Sequence, residues 1–299
     1  MSSVGALVED GVLEENVPLG PLTTYKAGGP ASWFATIGSR TQLDRLLATG
    51  LPAETPTLVL GRGSNLVVSD SGFDGLVIKL EGDFLSVHIE GPSVTAGAGA
   101  PLPRVARSAV DAGSLGLEFF VGVPGSVGGA VRQNAGCFGV ETVDRLRFAT
   151  IVDLRTGAER QDSPHALDLA YRHSNLASHD LVVEATFTGF DGDTESGRDL
   201  MRKITRWRRD HQPGGTLNAG SVFKNPSGIA AGQLIEDLGL KGMRVGDVSV
   251  SDKHANFFVA GPDATSAEIY RLVQLVKDTV LERSGTKLET EIQFVGFDK

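Results

Sequence analysis

Within a short stretch, Asn218-Ala219-Gly220-Ser221-Val222-Phe223-Lys224-Asn225-Pro226, the chain offers a hydroxyl, a cation and a carboxamide between a glycine and a proline. A core strand has no use for that polarity. A site that holds an anionic substrate and hands it a proton does. Gly220 leaves room for a flat ligand, and Pro226 stops regular structure. The plain alternative is a polar turn. A second group is Tyr171-Arg172-His173-Ser174. There Arg172 presents a rigid fork of donors suited to a carboxylate, although a surface arginine is the commoner case.

Glycine is the composition's outlier, at 38 residues. Gly61-Arg62-Gly63-Ser64-Asn65 ends an expected strand, and Gly122-Val123-Pro124-Gly125-Ser126-Val127-Gly128-Gly129-Ala130 leads on to Asn134-Ala135-Gly136. Small residues at that density let backbone N–H groups converge on one ligand and neutralise a pyrophosphate without side-chain charge. Ser64, Asn65, Ser126 and Asn134 add neutral polar groups. Two such loops in one strand-rich half favour a cofactor over a pair of tight turns. Gly97-Ala98-Gly99-Ala100-Pro101-Leu102 imitates a dinucleotide fingerprint, but its sixth position is Leu102 where Gly or Ala is needed. No strand–helix–strand alternation follows it, so a Rossmann domain is not expected.

The elements that must carry these groups are short. Alternating or apolar runs bounded by Gly, Pro or Asp predict strands over Thr57–Gly61, Gly75–Leu80, Phe84–Glu90, Val94–Gly97, Leu146–Asp153 and Leu181–Phe187. A helix is expected over Leu102–Ala112, with Val105, Ala109 and Ala112 on one face. After the acidic turn at Asp191-Gly192-Asp193, helices are expected over Arg198–Arg209, Ala230–Leu238 and Ser266–Arg283. In the last of these, Ile269, Leu272, Val273, Val276 and Val280 recur at helical spacing. A strand, Glu291–Gly296, closes the chain. A strand-rich first part followed by an α+β part predicts an α+β protein of two or three lobes.

The 299 residues carry 28 basic and 37 acidic side chains, a net charge of −9. That argues against a general nucleic-acid binder, whose phosphate contacts need a basic surface. An anionic small ligand needs only a local cluster of cations, and Arg202, Lys203, Arg206, Arg208, Arg209, Lys224, Lys241, Arg244, Lys253 and His254 are candidates. For most arginines of the 198–209 helix, a solvated face is the simpler explanation. The single cysteine, Cys137, excludes an internal disulfide and a cysteine metal cluster, and is expected to be a small buried residue; no metal site is expected. No signal peptide and no membrane-spanning run is read, so a cytoplasmic protein without membrane insertion is expected.

Taken in order, Thr23 to Pro30, Gly61 to Asn65, Gly116 to Gly139, Tyr171 to Ser174, Gly220 to Pro226, Lys253-His254-Ala255-Asn256 and Leu288 to Gly296 resemble the UDP-N-acetylenolpyruvoylglucosamine reductase (UDP-N-acetylmuramate dehydrogenase) family. The resemblance covers about residues 19 to 296. It implies an α+β, three-lobed flavoprotein with a vanillyl-alcohol-oxidase-type (PCMH-type) FAD-binding fold. Its first FAD-binding subdomain would span residues 1–80, completed by 288–299. The second would span 81–192, and a substrate-binding domain 193–287.

It further implies non-covalent FAD, NADPH as hydride donor, and UDP-N-acetylglucosamine enolpyruvate as the substrate reduced to UDP-N-acetylmuramate in bacterial cell-wall (peptidoglycan) synthesis. Nothing in the chain fixes an oligomeric state; a monomer is compatible with it. By motif, the catalytic residues are Arg172, Ser221 and Glu291, the last chosen over Glu289 because the family form is Leu-Glu-x-Glu. Cofactor contacts fall on Gly61, Arg62, Gly63, Ser64, Asn65, Leu66, Pro124, Gly125, Ser126, Gly128, Gly129, Asn134 and Gly136. Substrate contacts fall on Tyr171, Lys224, Asn225, Lys253 and His254. The tyrosines are Tyr25, Tyr171 and Tyr270, with none from Ala177 to Leu217. The chain therefore resembles the shorter branch of the family, which lacks a capping tyrosine loop. Gln293 stands where the family often has Arg. The competing readings are another FAD oxidase of the same fold, acting on an alcohol or hydroxy acid, and a non-catalytic nucleotide-sugar-binding flavoprotein.

Overall fold

The computed structural model describes residues 3–297. The chain forms two compact units. The first holds the chain through Asn16, then Trp33–Arg62 and Gly75–Trp207. The second holds Val17–Ser32, Gly63–Asp74 and the chain from Arg208 onward.

The first unit is built on sheets. One, in the first unit except at Val17–Pro18, Pro30–Ser32 and Phe73–Asp74, has four strands in the order Leu13–Pro18, Pro30–Ile37, Phe73–Leu80, Thr57–Val59, the last pair parallel. The other has five antiparallel strands in the order Glu159–Asp162, Leu146–Asp153, Asp180–Thr188, Ser93–Gly97, Val87–Glu90. The central strand Asp180–Thr188 is buried at every position but Glu184 and Thr188, which is why it reads as a continuous apolar run rather than an alternation. Its register against Ser93–Gly97 is marked by the Thr95–Thr186 hydroxyl pair at 2.9 Å. The helix Leu102–Asp111 turns Leu102, Val105, Ala106, Ala109 and Val110 into the core. Ala112, expected on that face, instead caps the helix and is exposed, because the helix ends one residue earlier.

Other departures are local. The expected strand from Phe84 begins as a 3-10 turn, Gly82–Leu85, and only Val87–Glu90 is extended. Part of the glycine-rich loop, Val127–Gln133, is helical, because Ser126 accepts a hydrogen bond from the Gly129 N–H and caps it. The basic helix begins earlier than expected and runs Thr194–His211. Cys137 is half-buried rather than buried.

The second unit has its own core around Phe223, Phe258, Leu272, Val276 and Val280. Its three-stranded antiparallel sheet runs Arg244–Val245, Val248–Val250, Phe258–Ala260. The helix Ser266–Ser284 covers it with the expected apolar stripe. The last strand is shorter than expected, Gln293–Val295, and pairs in parallel with Leu66–Val68. Glu291 therefore lies two residues ahead of the strand rather than at its start.

Candidate active site

In the first unit a cavity of about 240 Å³ is lined by Gly61, Arg62, Gly99, Ser126, Gly128 and Gly129, with Val59, Leu80, Leu85 and Val182 as apolar wall. At Gly61, Gly99 and Gly128 a Cβ would crowd a neighbour, whereas at Gly129 it would make only an ordinary contact. A Cβ on Gly61 would stand 2.6 Å from Ser126 Oγ, and one on Gly128 would stand 3.1 Å from the Ala98 Cβ. Among the described residues, none accepts a hydrogen bond from the backbone N–H of Gly61, Arg62, Gly125 or Ser126. Unpaired N–H groups beside an apolar wall suit an anionic, flat ligand, so these residues fit a flavin dinucleotide. Arg132 also lines the cavity, but its guanidinium donates to the Leu176, Ala177 and Asp180 carbonyls. Burial pulls its pKa down. Gly99, from the false fingerprint, lines the same cavity without any Rossmann helix to serve.

Next to this cavity's loop, Asn134 ends the Val127–Gln133 helix in the left-handed region (φ 41°) and is fully buried. Its Oδ1 accepts from the Val143 N–H at 2.8 Å. Its Nδ2 donates to Glu141 Oε2 at 2.9 Å and to the Ala170 carbonyl at 3.0 Å. Ala170 and His173 pair across a tight turn whose two central residues are Tyr171 and Arg172. Arg172 has a φ of 53°, uncommon for a residue with a Cβ and typical of strain kept at functional sites. Ser174 anchors the turn by donating to the Arg132 carbonyl at 2.7 Å. The Arg172 guanidinium lies 5.0 Å from the Tyr171 ring centroid and donates to Glu141 Oε1 at 3.3 Å.

In the second unit Ser221–Lys224 is held on two sides. Bridges join Ser221 to Phe257 and Phe223 to Thr290. The buried Asn256 side chain accepts from the Phe223 N–H at 2.9 Å and donates to the Phe223 carbonyl at 2.8 Å. On the other side Lys224 N–H donates to Glu289 O, and Glu291 N–H to Val222 O at 2.8 Å. Ser221 and Glu291 are thus brought onto adjoining backbone. Asn65 adds a clamp: its Nδ2 donates to the Glu291 carbonyl at 3.0 Å, and its own carbonyl accepts from Gln293 N–H. Glu291 is half-buried and Glu289 exposed. Among the described residues neither Ser221 Oγ nor Lys224 Nζ makes a side-chain hydrogen bond, and no bond joins them to each other.

The remaining predicted residues sit as follows. Gly63, Ser64 and Leu66 belong to the second unit, and no described residue accepts from the Gly63 or Ser64 N–H. Pro124 and Gly136 belong to the first unit, Gly136 pairing with Glu141 in a small hairpin. Asn225 is exposed, and its Oδ1 accepts from the Ala231 N–H at the start of the helix Ala231–Asp237. Lys253 Nζ donates to the Arg209 carbonyl at 2.6 Å. His254 Nδ1 accepts from the Asn256 N–H at 3.3 Å, with its ring edge-on to Phe257. Gly220 is required by its left-handed backbone (φ 75°), since a Cβ there would meet nothing within 4 Å. Arg198 and Arg202 are engaged by Asp111, Glu195 and Asp199, the solvated face expected of that helix.

Sequence reading missed Glu141, two residues beyond the Gly116–Gly139 motif, and gave Asn256 no role of its own. A Glu following a Gly-rich hairpin, seven residues after Asn134, was the available signal.

The cavity and the α+β architecture define an FAD-binding flavoprotein. Residues 31–161 match the FAD binding domain family, and residues 212–295 match the UDP-N-acetylenolpyruvoylglucosamine reductase, C-terminal domain family. The chain is 41% identical over 286 residues to the UDP-N-acetylenolpyruvoylglucosamine reductase of Azorhizobium caulinodans, covering 96% of this chain and 92% of that one. It is 40% identical to that of Parvibaculum lavamentivorans, covering 97% and 93%. The crystal structure of UDP-N-acetylenolpyruvylglucosamine reductase from Thermus caldophilus superposes with a TM-score of 0.82 at 36% identity, covering 94% of this chain and 98% of that one. The chain belongs to the UDP-N-acetylenolpyruvoylglucosamine reductase family and is an oxidoreductase.

Proposed function

We propose that the protein reduces UDP-N-acetylglucosamine enolpyruvate to UDP-N-acetylmuramate with NADPH as hydride donor, in bacterial cell-wall synthesis in the cytoplasm. Bound FAD supplies hydride transfer, which no side chain can perform. Residues 1–80 with 288–299, then 81–192, serve FAD, and 193–287 serve the sugar nucleotide. Hydride addition to the vinyl group of an unsaturated carboxylate drives negative charge onto that carboxylate, as an enediolate. Stabilising this charge is the main task left to the protein. Arg172 meets it with a charged fork. Glu291 serves as a hydrogen-bond donor in its protonated form. Ser221 gives a proton to the carbon bearing the ether oxygen, and its Oγ is not committed to any protein acceptor among the described residues. Lys224, whose Nζ is likewise uncommitted, takes a substrate anion, with Tyr171, Asn225, Lys253 and His254 orienting the rest.

The observation that carries this reading is the double clamp on Ser221–Lys224 and Glu291 by Asn256 and Asn65. It fixes two uncharged-donor candidates on adjoining backbone. Catalysis by position needs such rigidity. The test is an anaerobic flavin spectrum of the holoenzyme, reduced by NADPH and then mixed with UDP-N-acetylglucosamine enolpyruvate. Return of the oxidised band without oxygen is expected. A flavin that stays reduced would keep the FAD assignment and sink the acceptor.

A further inference from the structure

We propose that Glu141 is a positioning residue for Arg172, setting the direction in which the guanidinium fork meets the substrate carboxylate. This rests on the reading of Arg172 above. Three chain segments meet at this point: the end of the Val127–Gln133 helix, the hairpin Gly136–Glu141, and the Tyr171-Arg172 turn. Asn134, a neutral amide, suffices to tie them, since it bonds Val143 N–H, the Ala170 carbonyl and Glu141. The second carboxylate oxygen of Glu141 is not needed for that tie. It accepts from Arg172 Nη1 at 3.3 Å, and the same Nη1 lies 3.5 Å from the Asn134 carbonyl.

The pair is partly buried, with 17% of the Arg172 and 31% of the Glu141 side chain exposed. A charge-assisted bond there is stronger than one at the open surface. Arg172 sits on a strained backbone at a two-residue turn tip, where a long side chain has many rotamers to sample. Holding one Nη from behind removes that freedom and leaves the fork with a fixed plane. Glu141 is itself fixed: its N–H donates to Asp144 Oδ2 at 2.8 Å, and its side chain accepts from the Asp144 N–H in a reciprocal cap.

The experiment uses holoenzyme carrying Glu141→Gln, Arg172→Lys and both together, reading the two half-reactions separately by stopped-flow absorbance. Gln keeps an oxygen for Asn134 and removes the charge from Arg172. Glu141→Gln is expected to slow flavin reoxidation by substrate roughly 10- to 100-fold, the cost of a misplaced group, with reduction by NADPH and the melting temperature near wild type. In the Arg172→Lys background the same change adds little, because the two residues act as one unit. Glu141→Asp, which retains the charge, recovers part of the reoxidation rate. Equal slowing of both half-reactions, multiplicative effects in the double variant, or an Asp variant as slow as the Gln variant overturns the proposal. If Glu141→Gln fails to fold, Glu141→Asp against wild type decides: slowing confined to reoxidation supports it, slowing of both halves or of neither overturns it. Normal reoxidation in Arg172→Lys removes the role of Arg172 and this inference with it. Normal reoxidation in Glu141→Gln alone, with Arg172→Lys slow, removes only the inference.

Discussion

The proton-donor role proposed for Ser221 can be separated from the rest of the proposed reaction by reading its two half-reactions apart. Ser221→Ala is expected to leave flavin reduction by NADPH intact and to slow reoxidation by substrate by roughly 10²–10⁴, the usual worth of a removed general acid. Stopped-flow traces that slow equally in both phases would reassign Ser221 to binding. His254 behaves differently from a simple cation. Burial pulls its imidazole below the ordinary 6.5; its own backbone bond opposes this, Lys241 and His211 push the same way, and Glu236 opposes. At neutral pH it is therefore a polar partner rather than part of a basic cluster. On acidification the unfolded chain takes up this proton first. Native stability should thus fall as pH drops through 6.5 and level off below the native pKa. Denaturant unfolding from about pH 8 to about pH 5.5 should show that loss, and a shallower slope in His254→Gln. An unchanged slope would mean that other groups carry the acid sensitivity.

At the scale of elements, the stretches that hold the site are pinned by side chains and glycines whose purpose sequence pattern does not display. Gly63 is expected from the sequence to be a ligand-loop glycine; in the structure its φ is 61° and a Cβ would stand 2.4 Å from the Leu22 carbonyl oxygen. The loop folds onto Thr24, whose N–H and hydroxyl both donate to the Gly63 carbonyl. Gly63→Ala should cost about 2–4 kcal/mol by strain and clash alone, seen as a lowered midpoint in denaturant even for protein stripped of flavin. The long helix Ser266–Ser284 was read correctly from its 3- and 4-residue spacing, because a one-sided apolar stripe survives any context. Its start was less visible. Thr265 and Glu268 form a capping box, while Asp70, remote in sequence, accepts from the Ser266 and Ala267 N–H groups at 2.9 Å. Asp70→Ala should cost about 1–2 kcal/mol. A loss no larger than that of a surface substitution would show that the local box suffices. Short elements were hidden for a related reason. Val127–Gln133 looks like loop because Gly128 and Gly129 disfavour helix, and only the Ser126 cap and the Asn134 stop reveal it. The clustering of Arg172 with Glu141 and Asn134 follows from tertiary contacts across as many as 38 positions, which no periodicity encodes.

For the whole molecule, the ordered motifs were informative where composition was not. A net charge of −9 gives no hint of this cavity, whose lining sets the backbone N–H groups of Gly61, Arg62 and Ser126, unpaired among the described residues, beside the local cations Arg62, Lys79 and Arg132. That lining has a measurable consequence. A ligand held by N–H groups and apolar walls protects those backbone segments directly, so FAD binding should be visible in hydrogen exchange as a specific footprint. Adding FAD to protein stripped of it should slow exchange at the cavity-lining residues 59–62, 79–81, Leu85, Ala98, Gly99, Ser126, Gly128, Gly129 and Arg132. The native state should gain about 2.7 kcal/mol when free FAD exceeds its dissociation constant about 100-fold. The sheet core around Ile151, Val152, Leu181 and Ala185, fully or nearly fully buried, should change only by that global amount. Protection spread evenly over the chain, with no excess at Gly61–Arg62 or Ser126–Gly129, would mean that FAD stabilises the fold from elsewhere, and the cavity would need another occupant.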